Sequence, residues 1–423
     1  MDGFFTCRLT FRQKGAEIYE AKDGFENMCG YCRDRGYAPV LVFLGLASIS
    51  CRIFEMAWPQ GGKDMKRKVK QLLLTAAGIA LLILVVSSFV ILVFFPDMLP
   101  SASKTQNEAS KELFAMDTYI TMTAYGRDAE TALTEAADKL AALEQLWSVT
   151  DPNSDIYAVN HGEGHPIRVS EETSELVSFA LQMAEETNGA LEPTIYPVLS
   201  AWGFTTEEHR VPSETEIAEL LGNVGYERVR LEGDTVQLDN GMMLDLGAIG
   251  KGYAGDLVAQ VVQENGSTSA LLNFGGNIQA IGTKPDGSRW RLGLRDPFTG
   301  GTLGVLEISN MAVVTSGNYE RYFIGEDGKQ YGHIIDPATG YPAESGLVSV
   351  TIVAGEGRLC DALSTSLFVM GLDKAAEYWK QHPDFEMILI TEDGEIDLTE
   401  GIADAFTLDS YHSNMRVNVI EYE

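Results

Sequence analysis

After position 113 the hydrophobic and polar residues follow the periods of both strands and helices. Residues 118–125, TYITMTAY, alternate between apolar and polar side chains, as a half-buried strand does. Residues 128–147 repeat apolar side chains along one face of a predicted helix, and a second helix is predicted for 170–188. Ser213, with Glu216 three positions later, forms a capping box that predicts the start of a third helix.

The remaining predicted elements follow position 250 and come mostly as runs of strands. Strands are predicted at 269–274, 290–294, 304–308, 312–315, 347–353 and 386–391. Helices are predicted at 252–264, 361–370 and 374–381. Because strands and helices do not alternate strictly, the pattern favours an α+β fold of largely antiparallel sheets with flanking helices. No internal linker is evident, so we predict one domain over 113–423.

A long apolar segment precedes this domain. Residues 72–95 carry no charge and are long enough to span a bilayer core. Basic residues at 66–68 and Lys70 precede the segment, and Asp97 follows it. The positive-inside rule then predicts a single-pass protein of the cell membrane with its main domain on the extracytoplasmic side. We interpret 65–97 as an uncleaved transmembrane anchor, with a cleaved signal peptide as the alternative, and 98–112 as a linker.

The first 64 residues fit this organisation poorly. The apolar stretch at 40–58 is interrupted by Arg52 and Glu55, which makes a second membrane span doubtful. Met65, followed by basic residues and the apolar segment, is typical of a natural N-terminus. The codons for residues 60–64 can contain a ribosome-binding sequence at a typical distance before the start codon of Met65. We therefore expect translation to start at Met65 and residues 1–64 to be an extension of the gene model.

Charge and cysteine content exclude several classes of function. The formal net charge is −30, so nucleic acid is not an expected partner. Four of the five cysteines lie before residue 60, and only Cys360 belongs to the main domain, which excludes a disulfide framework there. Cys29 and Cys32 form a lone C-x-x-C pair without the second pair that a zinc site needs.

Three glycine-containing stretches are weak signals when each is taken alone. Residues 245–256, DLGAIGKGYAGD, resemble a phosphate-binding P-loop, but Asp245 replaces its first glycine and Gly252 its serine or threonine. The stretch 273–277, NFGGN, allows a ligand to approach the backbone, although a plain turn explains it equally well. The same two interpretations apply to 315–321, TSGNYER.

Two further stretches contain groups with possible chemistry. In 331–342, YGHIIDPATGYP, His333 and Asp336 lie in a segment constrained by proline and glycine, where a catalytic and a structural role stay equally open. In 361–366, DALSTS, helical spacing would place Asp361, Ser364 and Thr365 on one face. A carboxylate with hydroxyls suits Mg²⁺, and the alternative is that Asp361 caps the helix while the hydroxyls face solvent.

Taken together and in this order, these stretches resemble the ApbE family of FAD:protein FMN transferases. The resemblance runs from Phe114 to the C-terminus and also includes FAMDT at 114–118, WSVTD at 147–151 and TIYPVLSAWGF at 194–204. It implies a single ApbE-type, T-fold-like domain. The implied reaction is Mg²⁺-dependent transfer of FMN from FAD to a threonine or serine hydroxyl of an acceptor protein, with release of AMP. An FAD-binding protein or an FAD pyrophosphatase without a protein acceptor is the alternative.

The resemblance also implies roles for individual residues. Metal ligands would be Asp361, Thr365 and the Ala248 carbonyl, and Ser364 is a further candidate ligand. His333 is the candidate base for the acceptor hydroxyl, and Asp336 competes with it. The positions that match FAD contacts are Met116, Thr150, Trp202, Gly203, Phe204, Asp245, Lys251 and Ile335. Asn277 and Asn318 replace aspartates common in the family, and we interpret both as turn residues.

Overall fold

The computed structural model describes residues 107–206 and 208–422, all within one compact unit, Ser103–Glu423. The predicted extension 1–64, the anchor 65–97 and the linker up to residue 106 lie outside the described residues, so these remain predictions. None of the helices in the described ranges is long and apolar enough to cross a membrane.

The strands are short, and most of them pair antiparallel with their neighbours. In chain order they are β1 (Glu108–Ala115), β2 (Thr118–Tyr125), β3 (Ile167–Arg168), β4 (Arg230–Glu232), β5 (Thr235–Gln237), β6 (Ser269–Phe274), β7 (Asn277–Ile281), β8 (Trp290–Arg295), β9 (Thr302–Ile308), β10 (Met311–Gly317), β11 (Tyr322–Ile324), β12 (Gln330–Gly332), β13 (Ile335–Asp336), β14 (Tyr341–Pro342), β15 (Leu347–Ala354), β16 (Phe385–Thr391), β17 (Ile396–Thr399), β18 (Phe406–Leu408) and β19 (Val417–Ile420).

A nine-stranded sheet in the order β1-β2-β6-β7-β10-β15-β16-β17-β19 forms the centre of the fold. Within it, β17 and β19 pair in parallel, and its other pairs are antiparallel. One face of this sheet is covered by a three-stranded sheet, β18-β9-β8, through a shared apolar cluster that includes Trp290, Leu306 and Val313. The mixed α+β class with largely antiparallel sheets is confirmed.

The helices of the described residues are α1 (Ala129–Trp147), α2 (Asp155–Asn160), α3 (Glu171–Glu186), α4 (Tyr196–Trp202), α5 (Glu214–Leu221), α6 (Gly250–Glu264), α7 (Gly357–Met370), α8 (Leu372–Gln381) and α9 (Glu400–Ala403). The helices that share the main apolar core cover the opposite face of the central sheet, whereas Ile402 of α9 packs in the cluster under the three-stranded sheet. Helices α1, α6 and α7 bury their apolar faces in the main core, as the periodicity of 128–147 and 252–264 predicts. The predicted helix start is confirmed, since the Ser213 side chain accepts a hydrogen bond from Glu216 N. The reciprocal half of the capping box is absent from the described residues, because the Glu216 carboxylate pairs with Arg210 instead.

The predicted boundary between linker and domain is wrong, because β1 begins at Glu108. Residues 108–112 are polar, which suggested a linker, but strand β1 lies at the edge of the sheet and buries only alternate side chains. Ala109 and Leu113 pack on the core while Glu112 stays exposed. A two-residue turn joins β1 to β2, and both of its residues, Met116 and Asp117, have positive φ, as a tight hairpin of this type requires.

A smaller apolar cluster surrounds Trp202 at the end of α4. It joins Val198, Ile217 and Ile335 to the aromatic rings of the β11–β14 region. The short strands β11 to β14 form two separate hairpins, neither of which was predicted, because two- and three-residue strands carry no readable period. The cluster places the 331–342 segment beside the 194–204 segment.

Candidate functional site

The first turns of α6 and α7 cross at two glycines. Gly252 N donates a hydrogen bond of 2.7 Å to Asp361 Oδ2, across 109 positions of sequence. A Cβ atom at Gly252 would overlap the Gly357 carbonyl oxygen and lie 2.6 Å from Asp361 Cβ. The glycine at 252 is therefore what allows the stretch 245–256 to reach the Asp361 carboxylate.

Helix α7 begins one turn before the predicted start, which changes the interpretation of Asp361. The helix starts at Gly357, so Asp361 lies inside it and is not its N-cap. Asp256, on α6, accepts hydrogen bonds from Gly357 N at 2.6 Å and Arg358 N at 2.9 Å instead. This role of Asp256 was not predicted; its signal in the sequence is a single carboxylate within an apolar helical stretch.

Asp361 is a buried carboxylate with few neutralising neighbours. Its residue is 4% exposed, and burial raises the pKa of its side chain, while the charge of Lys251 and the Gly252 N–H act in the opposite direction. The side chain of Asn277 also lowers this pKa. Asn277 starts β7 and is buried, so its interpretation as a turn residue is wrong. Asn318, in the turn that follows β10, fits that interpretation.

Hydroxyl groups from two elements meet beside this carboxylate. Ser364 Oγ donates to the Asp361 main-chain oxygen at 2.9 Å and lies 2.8 Å from Ser316 Oγ. Thr365 Oγ1 lies 3.3 Å from the same Ser316 Oγ. The predicted helical face with Asp361, Ser364 and Thr365 is confirmed. Ser316, at the end of β10, was not predicted as part of this group of hydroxyls, because its position beside Ser364 and Thr365 depends on strand pairing and not on local spacing.

The Ala248 carbonyl is an unused acceptor in the same place. In a regular helix it would accept from Gly252 N, but that N–H points to Asp361. Within residues 107–206 and 208–422, no hydrogen bond reaches the Ala248 oxygen. The same ranges hold no cluster of three histidine, cysteine, aspartate or glutamate side chains. One carboxylate, one free carbonyl and hydroxyls fit Mg²⁺, which commonly takes its other ligands from substrate phosphates and water.

Lys251 supplies positive charge to three groups of the candidate site. Its charge lowers the pKa of Asp245, of Asp361 and of His333. Its Nζ donates to the Gly247 carbonyl at 3.3 Å. Asp245 is half-buried and accepts from Gly247 N at 2.8 Å; burial raises its pKa against the effect of that N–H and Lys251. The stretch 245–256 thus provides the cation at the centre of the site.

His333 and Asp336 differ in what their side chains do. Burial lowers the pKa of His333 to about 4, with help from the charges of Arg321 and Lys251. Its Nδ1 lies 3.1 Å from the Arg321 carbonyl. The Asp336 carboxylate instead accepts from Ala338 N at 2.9 Å and from the Thr339 hydroxyl at 3.3 Å, which stabilises its own turn. The geometry therefore favours His333 as the group free for chemistry.

An aromatic cluster continues from His333. The ring of Phe204 lies 6.4 Å from that of His333, edge to face, and 6.5 Å from that of Trp202. Trp202 Nε1 donates to the Gly340 carbonyl at 2.8 Å and ties the 194–204 segment to the 331–342 segment. Gly203 has φ +80°, and a Cβ there would overlap the Glu208 carbonyl. Ile335 packs in the same cluster as Trp202.

The β1–β2 turn is joined to this cluster, whereas Thr150 is not. Asp117 Oδ2 forms an ion pair of 2.6 Å with Arg321, whose carbonyl contacts His333. Met116 N donates to Glu144 Oε1 at 2.6 Å. Thr150 is exposed, and its hydrogen bonds in the described part of the chain are with Ser148. Thr150 is the predicted FAD contact for which the described residues show no contact with the rest of the candidate site.

Comparison with known proteins identifies relatives over most of the described chain. The ApbE family model matches residues 116–389. The FAD:protein FMN transferase of Klebsiella pneumoniae (strain 342) is 34% identical over 262 residues, 60% of this chain and 81% of that protein. The enzyme of the same name from Treponema pallidum (strain Nichols) is 34% identical over 296 residues, 66% of this chain and 82% of that protein.

Solved structures show the same fold. The ApbE protein of Thermotoga maritima MSB8 superposes with a TM-score of 0.67 at 34% identity, covering 71% of this chain and 99% of that one. The flavin transferase ApbE of Vibrio cholerae superposes with a TM-score of 0.65 at 27% identity, again covering 71% and 99%.

Proposed function

The chain belongs to the ApbE family, and we propose that it transfers FMN from FAD to a threonine or serine hydroxyl of an acceptor protein, releasing AMP. In this transfer the acceptor oxygen forms a bond to the phosphorus of the FMN half of FAD. The bond from that phosphorus to the bridging oxygen breaks, and the oxygen leaves with AMP. The hydroxyl proton must go to a base. The single observation that carries the proposal is the contact between Gly252 and Asp361 beside the unused Ala248 carbonyl.

The residues at the α6–α7 crossing fit Mg²⁺ as a cofactor. Asp361, Thr365 and the Ala248 carbonyl would hold the ion, with Ser364 beside them. When bound, Mg²⁺ would neutralise pyrophosphate charge during the transfer. Asn277 supports this assignment, since its buried Nδ2 lies close enough to the Asp361 carboxylate to lower the pKa of that group, although the pair does not reach full hydrogen-bond geometry.

The groups around Lys251 fit the rest of FAD. Lys251 can bind a phosphate as a point charge, and Asp245 can accept hydrogen bonds from the adenine or the ribose. Phe204 is half-buried and its ring lies beside His333, so it can offer an apolar surface to FAD. Trp202 is fully buried and supports Phe204 from within the cluster, where Ile335 also packs. Met116 lies in the hairpin turn that Asp117 joins to Arg321.

His333 is suited to take the proton of the acceptor hydroxyl. The Arg321 carbonyl can only accept a hydrogen bond, so the His333 Nδ1 in contact with it carries the proton. The Nε2 atom of the neutral ring then has its lone pair free. The pKa of about 4 keeps the imidazole neutral at physiological pH, so its lone pair is available, and it also makes the ring a weaker base than a histidine of ordinary pKa.

A titration of His333 tests this assignment. In the wild-type chain we expect its imidazole to titrate near pH 4, followed by NMR with a His333→Gln variant to assign the signal. Arg321→Met removes a charge that lowers the pKa, so the midpoint should rise. Arg291→Met, an exposed arginine paired with Glu307 on β9, is the matched control and should leave it unchanged. A wild-type midpoint near 6.5 would contradict the assignment.

The same pKa has a consequence for stability. The unfolded chain binds a proton on His333 below about pH 6.5, and the folded chain does so only below about 4. Between these values the unfolded state binds more protons, so stability should fall as pH falls through this window. Urea unfolding at both ends of the window should show a smaller loss for His333→Gln than for the wild-type chain.

A transfer assay tests the proposed reaction directly. The acceptors are taken from the exported and membrane fractions of cells that lack the gene for this chain, where they accumulate without flavin. Full-length chain, FAD and Mg²⁺ should produce fluorescent protein bands that survive denaturation, with one AMP per flavin attached. Release of free FMN and AMP without labelled protein would favour an FAD pyrophosphatase instead.

We also propose that the catalytic unit lies on the extracytoplasmic side of the membrane, held by the segment at 72–95. The support is the sequence of that segment and its basic flank. Protease added to intact spheroplasts should digest the unit after residue 103. Resistance to protease until the cells are lysed would place it on the other side.

A further inference from the structure

The β1–β2 hairpin carries two large exposed aromatic side chains next to the candidate site. Phe114 is 71% exposed and Tyr119 is 55% exposed. The two residues are direct partners in the strand register and therefore stand side by side on one face. Their neighbours on the other face, Ala115 and Ile120, are buried in the core. The hairpin thus has one face fixed by packing and one apolar face available to a partner.

The covering layer of the central sheet does not extend over this pair. Farther along β2, Tyr125 packs against Trp290 of β8, with ring centroids 6.3 Å apart. That contact is part of the cluster under the β18-β9-β8 sheet, and neither Phe114 nor Tyr119 belongs to it. Within the described ranges, the aromatic pair therefore lies beyond the edge of the cover.

The exposed pair is physically coupled to the groups proposed for chemistry. Asp117 follows Phe114 by three positions and forms its 2.6 Å ion pair with Arg321, whose carbonyl is 3.1 Å from His333 Nδ1. The turn is also braced from the side, since a Cβ at Gly275 would overlap the Thr118 hydroxyl. The hairpin that carries the pair is therefore linked to His333 through one ion pair and one main-chain contact.

Acidic groups share the exposed face of the β1–β2 hairpin with the aromatic pair. Glu108 and Glu112 share the exposed face of β1, and the Tyr119 hydroxyl hydrogen-bonds the Glu112 carboxylate. Asp117 at the tip is neutralised by Arg321, so the attraction comes from Glu108, Glu112 and the formal net charge of −30 of the chain as a whole. Such a surface favours a segment that combines apolar side chains with lysine or arginine.

We propose that Phe114 and Tyr119 form the docking surface for the acceptor protein, which binds through an extended segment with apolar and basic residues next to its threonine or serine. This inference rests on the proposed transfer to a protein. The aromatic rings anchor the segment, the acidic rim attracts it, and the fixed hairpin turn sets its distance from His333.

A double variant, Phe114→Ser with Tyr119→Ser, tests the surface. The probe is the most strongly labelled acceptor purified from the flavin-free fraction described above. The variant should raise the KM for this acceptor by about tenfold or more, with kcat within about twofold and unchanged binding of FAD. Tyr411→Ser, which removes a 92% exposed tyrosine far along the chain, is the matched control and should change none of these.

Other outcomes separate this surface from alternative roles. Raising the ionic strength should raise the wild-type KM if the acidic rim attracts the acceptor. An unchanged KM in the double variant overturns the docking proposal but not the proposed transfer. A change confined to self-association or to vesicle binding has the same consequence. Loss of FAD binding in a folded variant assigns the pair to the FAD site and also overturns it. A wild-type chain that labels no acceptor overturns the proposed transfer and the surface with it.

Discussion

Replacing Asp361 with asparagine is expected to slow FMN transfer about a thousandfold while leaving the fold intact. Asparagine keeps the shape of the side chain and can still accept the hydrogen bond from Gly252 N. It removes the negative charge that the Asp361 carboxylate contributes to the candidate metal site. Because burial raises the pKa of this carboxyl, the ionised form opposes folding at neutral pH. The midpoint of unfolding should therefore stay equal or rise.

The control for this variant is Asp397→Asn. Asp397, on β17, is another buried carboxyl whose pKa is raised by burial, and Asn418 hydrogen-bonds it at 3.0 Å. It tests the loss of a buried charge far from the candidate site and should leave transfer unchanged. Calorimetric titration of Mg²⁺ into each FAD-loaded chain provides a readout apart from turnover. Full activity with normal Mg²⁺ binding in Asp361→Asn would contradict the assigned role.

Replacing Gly252 with alanine is expected to destabilise the chain by about 2–3 kcal/mol and to reduce transfer severely. The added Cβ would overlap the Gly357 carbonyl and press on Asp361 Cβ at 2.6 Å, so α7 must move away and take Asp361 with it. Intrinsic helix propensity predicts the opposite sign, a gain of about 1 kcal/mol for alanine over glycine. The free energy of unfolding in urea therefore shows which effect is larger, the steric cost of the close helix packing or the gain in helix propensity.

The matched control is Gly255→Ala in the same helix. A Cβ there would meet Gln279 Cγ at 3.1 Å, a side chain that hydrogen-bonds Asp256, whereas the overlap at Gly252 is with the main chain. The steric cost at Gly255 should therefore be smaller than at Gly252 and partly offset by helix propensity. If Gly252→Ala were as stable as Gly255→Ala and equally active, the crossing of α6 and α7 would not be as tight as the structure indicates.

The sequence predicted the long, periodic elements well and the short ones poorly. Residues 269–274 and 118–125 form strands with the predicted bounds, because their alternation matches a sheet with one face more buried. Strand β1 was missed where its residues are polar, since an edge strand is stabilised mainly by main-chain pairing with β2. Helix α2 was missed because six residues give fewer than two turns of period.

Some residues of the candidate site can be predicted from local spacing, and others join it only through contacts between distant parts of the chain. Asp361, Ser364 and Thr365 share one helical face, which spacing alone predicts. Ser316 joins them only because β10 ends beside α7, and no local pattern encodes that contact. Asn277 was placed in an exposed turn by its glycine neighbours, yet the strand that starts there carries its side chain into the interior. The stretch 245–256 looked like a phosphate loop, and its most specific contact is with a helix more than 100 positions away.

The sequence separation between Gly252 and Asp361 determines when the candidate site can assemble during synthesis and folding. A contact between residues so far apart in sequence can form only after the intervening chain has been synthesised and has closed into a loop. A ribosome that has released α6 but not α7 therefore holds a chain with only one half of the candidate metal site. Flavin transfer would then begin late, when the last third of the protein has folded, and truncated chains that end before α7 would never acquire it.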